Sequence, residues 1–150
     1  REAIASNGLD PSALDVYVGE PGSAQPQRPD ERSMLWHTSD DVLDVVIDQL
    51  VVKHRADAIV AHNDFIASAL LKRLRRRNVR VPEDVAVVGY LNHYLCDYVD
   101  PPLTSVDLQH HAAATAMVTA LQELIEDPET DGEERRVIPI MPTIVVRESA

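Results

Sequence analysis

Three short stretches of the chain gather the residue types that could do chemistry. His62-Asn63-Asp64 follows the apolar run Ala58–Ala61 and opens a helical pattern. The segment from Tyr90 to Tyr98, with Asn92, His93, Tyr94, Cys96 and Asp97, follows the apolar run Val85–Gly89. Trp36-His37 stands just before Thr38-Ser39-Asp40-Asp41. In the first stretch, Asn63 can both donate and accept, so Asn63 and Asp64 could line a ligand cleft. Capping of the helix that follows accounts for the same residue types, and a capping residue can also face a ligand. Trp36 could stack on a sugar ring or heterocycle, with His37 beside it. The competing role is a hydrophobic staple at the helix entry.

Catalytic and metal chemistry find little support. Adjacent His110-His111 on a helix point about 100° apart and rarely share one ion. Asn92-His93…Cys96-Asp97 offers one His–Cys pair without a second. Cys96 as a nucleophile would need an activating base that the pattern does not supply. The sequence contains no G-x-G-x-x-G, P-loop or G-x-S-x-G motif, and its five glycines do not cluster. No catalytic residue, metal or cofactor is therefore assigned. The basic run KRLRRRNVR, Lys72–Arg80, lacks interleaved aromatics and sits at a helix C-terminus, where cations offset the dipole.

Bulk properties narrow the class further. The 150 residues suit one domain, and 45% hydrophobic residues suffice for a core built mainly of Val, Leu, Ile and Ala. A net charge of −11 repels phosphate backbones, so these residues by themselves are a poor nucleic-acid binder. The single cysteine cannot form an internal disulfide, which fits a reducing compartment. No apolar stretch is long enough to cross a bilayer. The chain begins at Arg1, and REAIASNG reads as the middle of a helix, so a fragment is expected.

The elements that must position these residues follow from periodicity. Arg1–Ser6 reads as a helix tail and Asp15–Gly19 as a strand. Residues 20–33, which include EPGSAQPQRPDER, read as a flexible loop. Leu43, Val46, Ile47, Leu50 and Val51 form one helical face behind a Thr38-Ser39-Asp40-Asp41 start. Ala58–Ala61, Val85–Gly89 and Ser105–Leu108 read as short strands, and Asp64–Arg77 as a helix between the first two. A helix over about 109–126 presents Met117, Leu121 and Leu124. An acidic turn over Glu129–Glu134 follows, then two short strands over Val137–Val146 split by Pro139 and Pro142. Alternating strands and amphipathic helices predict an α/β fold with a doubly wound parallel sheet. Ligands of such sheets bind beyond the carboxyl ends of the strands, which here carry His62-Asn63-Asp64 and Tyr90–Tyr98.

Longer motifs point to a family. ADAIVAHNDFIASALLKRLRRRNVRVPEDVAVVGY, DPPLTSVDLQ and the ending PTIVVRESA resemble the effector-binding domain of LacI/GalR-type transcription regulators. The resemblance implies a periplasmic-binding-protein-like fold of type I, of which this chain is mainly the C-terminal subdomain. It implies a small effector, sugar-like or less polar, held between two subdomains, and a homodimer. DNA would be bound only through a preceding helix-turn-helix outside this chain. A cytoplasmic protein without membrane attachment or enzymatic activity is expected. The alternative is a solute-binding protein serving a sugar or small-molecule transporter.

Carried over by position, Asn63 matches an asparagine that commonly hydrogen-bonds the effector. Asp64 matches a neighbour that tends to cap the helix. Trp36 and His37 fall where an aromatic often meets the effector, and the helix after Asn63 with Asn92–Asp100 resembles the dimerisation surface. Two departures matter: Leu91 stands where the family usually has aspartate, and Leu108 where it often has glutamine. A leucine accepts no hydroxyl, so Leu91 in the effector site predicts a less polar or differently oriented effector. The helix over about 109–126 is expected to belong with the other subdomain.

Overall fold

The computed structural model describes residues 40–126 and 137–150. Trp36, His37, the strand and helix expected before residue 40, the flexible loop at 20–33 and the acidic turn lie outside the described residues.

Helix α1, Asp40–Ile47, runs on into a π-helical turn, Asp48–Lys53. Strand β1, Ala58–Val60, leads to helix α2, Asp64–Arg76. Strand β2, Ala86–Tyr90, is followed by a 3-10 turn, Tyr94–Asp97, and strand β3, Thr104–Asp107. Helix α3, His110–Glu126, and strand β4, Thr143–Val145, complete the described elements. The sheet order is β1-β2-β3-β4. Strands β1, β2 and β3 run parallel, with Ile59 beside Val87 and Gly89 beside Ser105. Strand β4 is antiparallel to β3, so the sheet is mixed at this edge. The α/β fold is the expected one. Of the two strands expected over Val137–Val146, one forms, and it starts just after Pro142, which lacks the N–H a ladder needs.

The core lies on one face of the sheet. Alternation along the strands turns Ile59 and Val87 to the same side, where Leu43 and Ile47 of α1 and Ala67, Leu70, Leu71 and Leu74 of α2 bury themselves. Leu50 and Val51, on the π-helical turn, pack partly against it. The other sheet face is more open: Val60 and Ile144 are exposed, and Tyr90 is on the border of exposure.

Four arginines of the basic run are held by carboxylates. Arg73 pairs with Asp44, Arg77 with Asp44 and Asp48, and Arg75 with Asp100. Arg80 grips Asp84 through two nitrogens, at 2.6 and 3.0 Å. Asp44 of α1 and Asp48 of the π-helical turn thus meet the basic end of α2, where the cations also offset the helix dipole. Arg80 holds the Asp84 carboxyl down at about 2, by hydrogen bonds from its side chain and backbone and by its charge.

Candidate functional site at the carboxyl ends of the parallel strands

Parallel strands of similar length deliver their carboxyl ends to one edge of the sheet. Here that edge receives His62-Asn63-Asp64 after β1, Leu91-Asn92-His93 after β2, and Leu108-Gln109 after β3. What joins them is a buried carboxylate. Asp64 has no exposed surface. Its Oδ1 accepts from Ser105 Oγ at 2.6 Å, and its Oδ2 accepts from the His93 backbone N–H at 2.6 Å. Asp64 also occupies the first turn of α2, where the helix dipole favours negative charge. A buried carboxylate is tolerable only when its oxygens are satisfied, and this one draws donors from two other segments.

Gly89 makes room for this arrangement. A Cβ there would collide with Asp64 Oδ1 and stand 2.9 Å from Leu103 Cδ2. The glycine ending the apolar run Val85–Gly89 is therefore required by close approach.

The structure distributes the two polar residues of the Asn63-Asp64 pair differently from the expectation. Asn63, in extended conformation, is the cap of α2, and its Oδ1 accepts from the Ile66 N–H at 2.9 Å. Asp64 does not cap; it ties β1 to β3 and to the loop after β2. Asn63 is 4% exposed, whereas His62 is exposed at the strand end.

Leu91 is half-buried at this edge, and its backbone φ of 103° is one that L side chains rarely adopt. Asn92 follows at φ 49°. Hydrogen bonds hold this turn from all sides. Leu91 N–H donates to the Val106 carbonyl at 2.9 Å, and Asn92 N–H to Ser105 Oγ at 3.1 Å. The Asn92 side chain donates to Asp107 Oδ2 at 3.1 Å, and Asp107 Oδ1 accepts from the Gln109 N–H at 2.7 Å.

Beyond the turn lies an aromatic cluster. The His93 ring stands 4.8 Å from Phe65 and 4.3 Å from Tyr94, and Tyr94 meets Tyr98 edge-on at 6.4 Å. Tyr94 and Tyr98 are widely exposed. Cys96 is fully buried, and its thiol is pushed up to about 12 by burial, with the Asp64 carboxylate adding through its charge and a hydrogen bond. That environment suits a structural thiol, since a nucleophile needs the thiolate. Among the described residues no cluster of His, Cys, Asp or Glu could hold a metal ion, and His110 and His111 are exposed.

Sequence reasoning missed the terminal residues. Ser149, fully buried, donates through Oγ to the Val87 carbonyl at 2.6 Å and accepts from the Thr104 N–H at 2.9 Å. Arg147 donates to Asp97 Oδ1, to the Leu103 carbonyl and to Asn92 Oδ1. The ending VVRESA carried the signal as a motif, but its partners lie 43 to 62 residues away in sequence.

The whole chain, residues 1–150, matches the family of periplasmic binding protein-like domains. The chain belongs to that family. Within it, the relatives are LacI-type regulators. Over 100 residues the chain is 37% identical to the HTH-type transcriptional repressor PurR of Photobacterium profundum, covering 67% of this chain and 29% of the repressor. The structure of a LacI-family regulator from Sanguibacter keddieii aligns over 99% of this chain and 50% of its own, at 34% identity and a TM-score of 0.70. A LacI-family regulator from Arthrobacter, solved with lactose, aligns over 71% of this chain and 39% of its own, at 30% identity and a TM-score of 0.62. The chain thus spans half or less of the proteins it resembles. Among the described residues, no helix is long and apolar enough to cross a membrane.

Proposed function

We propose that this chain is the ligand-sensing part of a LacI-type transcriptional regulator, binding a small effector at the carboxyl edge of its sheet. The observation that carries the reading is the Asp64 junction, which brings the Asn63 and Leu91-Asn92 segments to one edge of a sheet belonging to this family. Asn63, Leu91, Trp36 and His37 are the proposed effector contacts. Asp64, with both oxygens engaged, contributes by positioning them. Leu91 at this edge favours an effector that presents an apolar face there, whether a sugar's C–H face or a less polar molecule. The relative solved with lactose supports a sugar-like class.

The mechanism is non-enzymatic. Effector binding favours one arrangement of two subdomains, and a homodimer formed through α2 and Asn92–Asp100 passes the change to DNA bound by a separate helix-turn-helix. The exposed Tyr94 and Tyr98 support the interface. The helix α3 is assigned to packing with the other subdomain, and the protein to the cytoplasm.

Titration calorimetry of the full-length protein with mono- and disaccharides, paired with operator-binding assays, tests this reading. A compound that binds and shifts DNA affinity is expected. Tight binding of a fully polar polyol, retained or strengthened in Leu91→Asp, would contradict the role given to Leu91. A full-length protein that binds solute but carries a secretion signal in place of a helix-turn-helix would favour the transporter alternative.

A further inference from the structure

The segment from Leu91 to Tyr98 has two ends in different surroundings. Leu91 and Asn92 sit at the strand ends, whereas Tyr94 and Tyr98 are 73% and 83% exposed on the outer surface. Its first two residues have φ of 103° and 49°, so its path cannot be held by local backbone preference. It needs ties from elsewhere in the chain.

Arg147, just beyond β4, reaches both ends. Its Nη2 donates to Asn92 Oδ1 at 3.1 Å, and its Nε donates to Asp97 Oδ1 at 2.6 Å. Its Nη1 donates to the Leu103 carbonyl at 2.9 Å, at the entry to β3. Its side chain is only 15% exposed, against 61% for its partner Asp97. Three nitrogens of one planar fork thus hold three separate points, which a lysine ammonium on its flexible stem cannot reproduce. Asn92 in turn grips Asp107, so the clamp extends to the end of β3.

We propose that Arg147 is a positioning residue that makes the Leu91–Tyr98 segment one rigid unit, so that a displacement at the ligand edge is carried to the exposed tyrosines. The inference rests on the reading of the two surfaces given above. A merely structural Arg147 would hold down the chain end and nothing more. Ser149 supplies the control, since it anchors the same end but touches Val87 and Thr104, not Asn92 or Asp97.

The test is amide exchange and sedimentation on full-length protein carrying Arg147→Met, Arg147→Lys or Ser149→Ala. In both Arg147 variants the amides of Asn92, His93 and Cys96 should exchange about tenfold faster, the scale of a lost charge-assisted hydrogen bond, with Val87 and Val88 unchanged. Ser149→Ala should instead loosen Val87 and Thr104. Self-association should weaken about tenfold in the Arg147 variants, since their tyrosines lose a fixed presentation. Equal loosening across β2 and the segment, rescue by lysine, or no change overturns the clamp. Local loosening in a protein that is monomeric even as wild type supports the clamp and overturns the interface reading instead.

Discussion

Helices α2 and α3 are both amphipathic, yet one is built into the described core and the other is not. The 13 residues of α2 bury Ala67, Leu70, Leu71 and Leu74 against the sheet, and Asp64 at their head. The 17 residues of α3 bury none, and Met117, Val118, Leu121 and Ile125 are all more than half exposed. A hydrophobic stripe states which face a helix will cover, not what will cover it. For α2 the answer is β2 and α1, both among the described elements. For α3 it is not among the described residues. An apolar stripe of this kind is what a contact surface looks like before its partner is added.

The sharpest way to break the comparison is by truncation. Leu74→Ala in α2 should cost about 3 kcal/mol of unfolding free energy, through lost burial and a residual cavity. Leu121→Ala in α3 should cost less than about 1 kcal/mol in the same chain. Urea unfolding midpoints measure both, and equal costs would show that α3 is packed as firmly as α2.

The next largest effect concerns the head of α2. Asp64→Asn replaces an acceptor by a donor opposite Ser105 Oγ or the His93 N–H, leaving a buried donor without a partner. The expected loss is about 2 kcal/mol in thermal or urea unfolding, and an unchanged midpoint would remove the junction from the account.

Leu91→Gly should act in the opposite direction. Relief of an unfavourable backbone conformation outweighs the added chain entropy, for a gain of about 1 kcal/mol. A loss of stability would show that the leucine side chain contributes more packing than its backbone conformation costs.

The smallest effect lies at the exposed end beyond α2. Arg80 lowers the Asp84 carboxyl from an ordinary 3.8 to about 2. A group depressed in the fold contributes stability that is complete above its unfolded value and lost as pH falls through its folded value. The contribution should therefore fade between about pH 4 and pH 2, and Asp84→Asn should flatten acid unfolding curves slightly in that window. The pair lies at the surface, which keeps the effect small.

How much of this was legible in the sequence depended on range. The three parallel strands and the helices α2 and α3 were readable to within a residue or so, because periodicity and stop signals such as Asn78 and Pro82 are local. That His62-Asn63-Asp64 and Leu91-Asn92 gather at one edge of the sheet was readable from strand ends alone. The division of labour between Asn63 and Asp64 was not, because both are acceptable caps and the choice is made by Ser105, 41 residues away from Asp64. Arg147 and Ser149 were invisible for the same reason: their bonds cross the sheet. Leu91 was conspicuous by its type, but its positive-φ conformation is imposed by the bond its N–H donates to the Val106 carbonyl on the next strand and by the bond its neighbour Asn92 donates through its N–H to Ser105 Oγ.

The central claim is that the edge joined by Asp64 receives a small effector. Amide exchange of the full-length protein tests it most directly, with and without the saccharide or heterocycle that most raises its melting midpoint. Protection should appear at Asn63–Phe65 and Tyr90–His93 and extend little into β4. Protection elsewhere with these amides unchanged, or no compound that raises the midpoint at all, would contradict it.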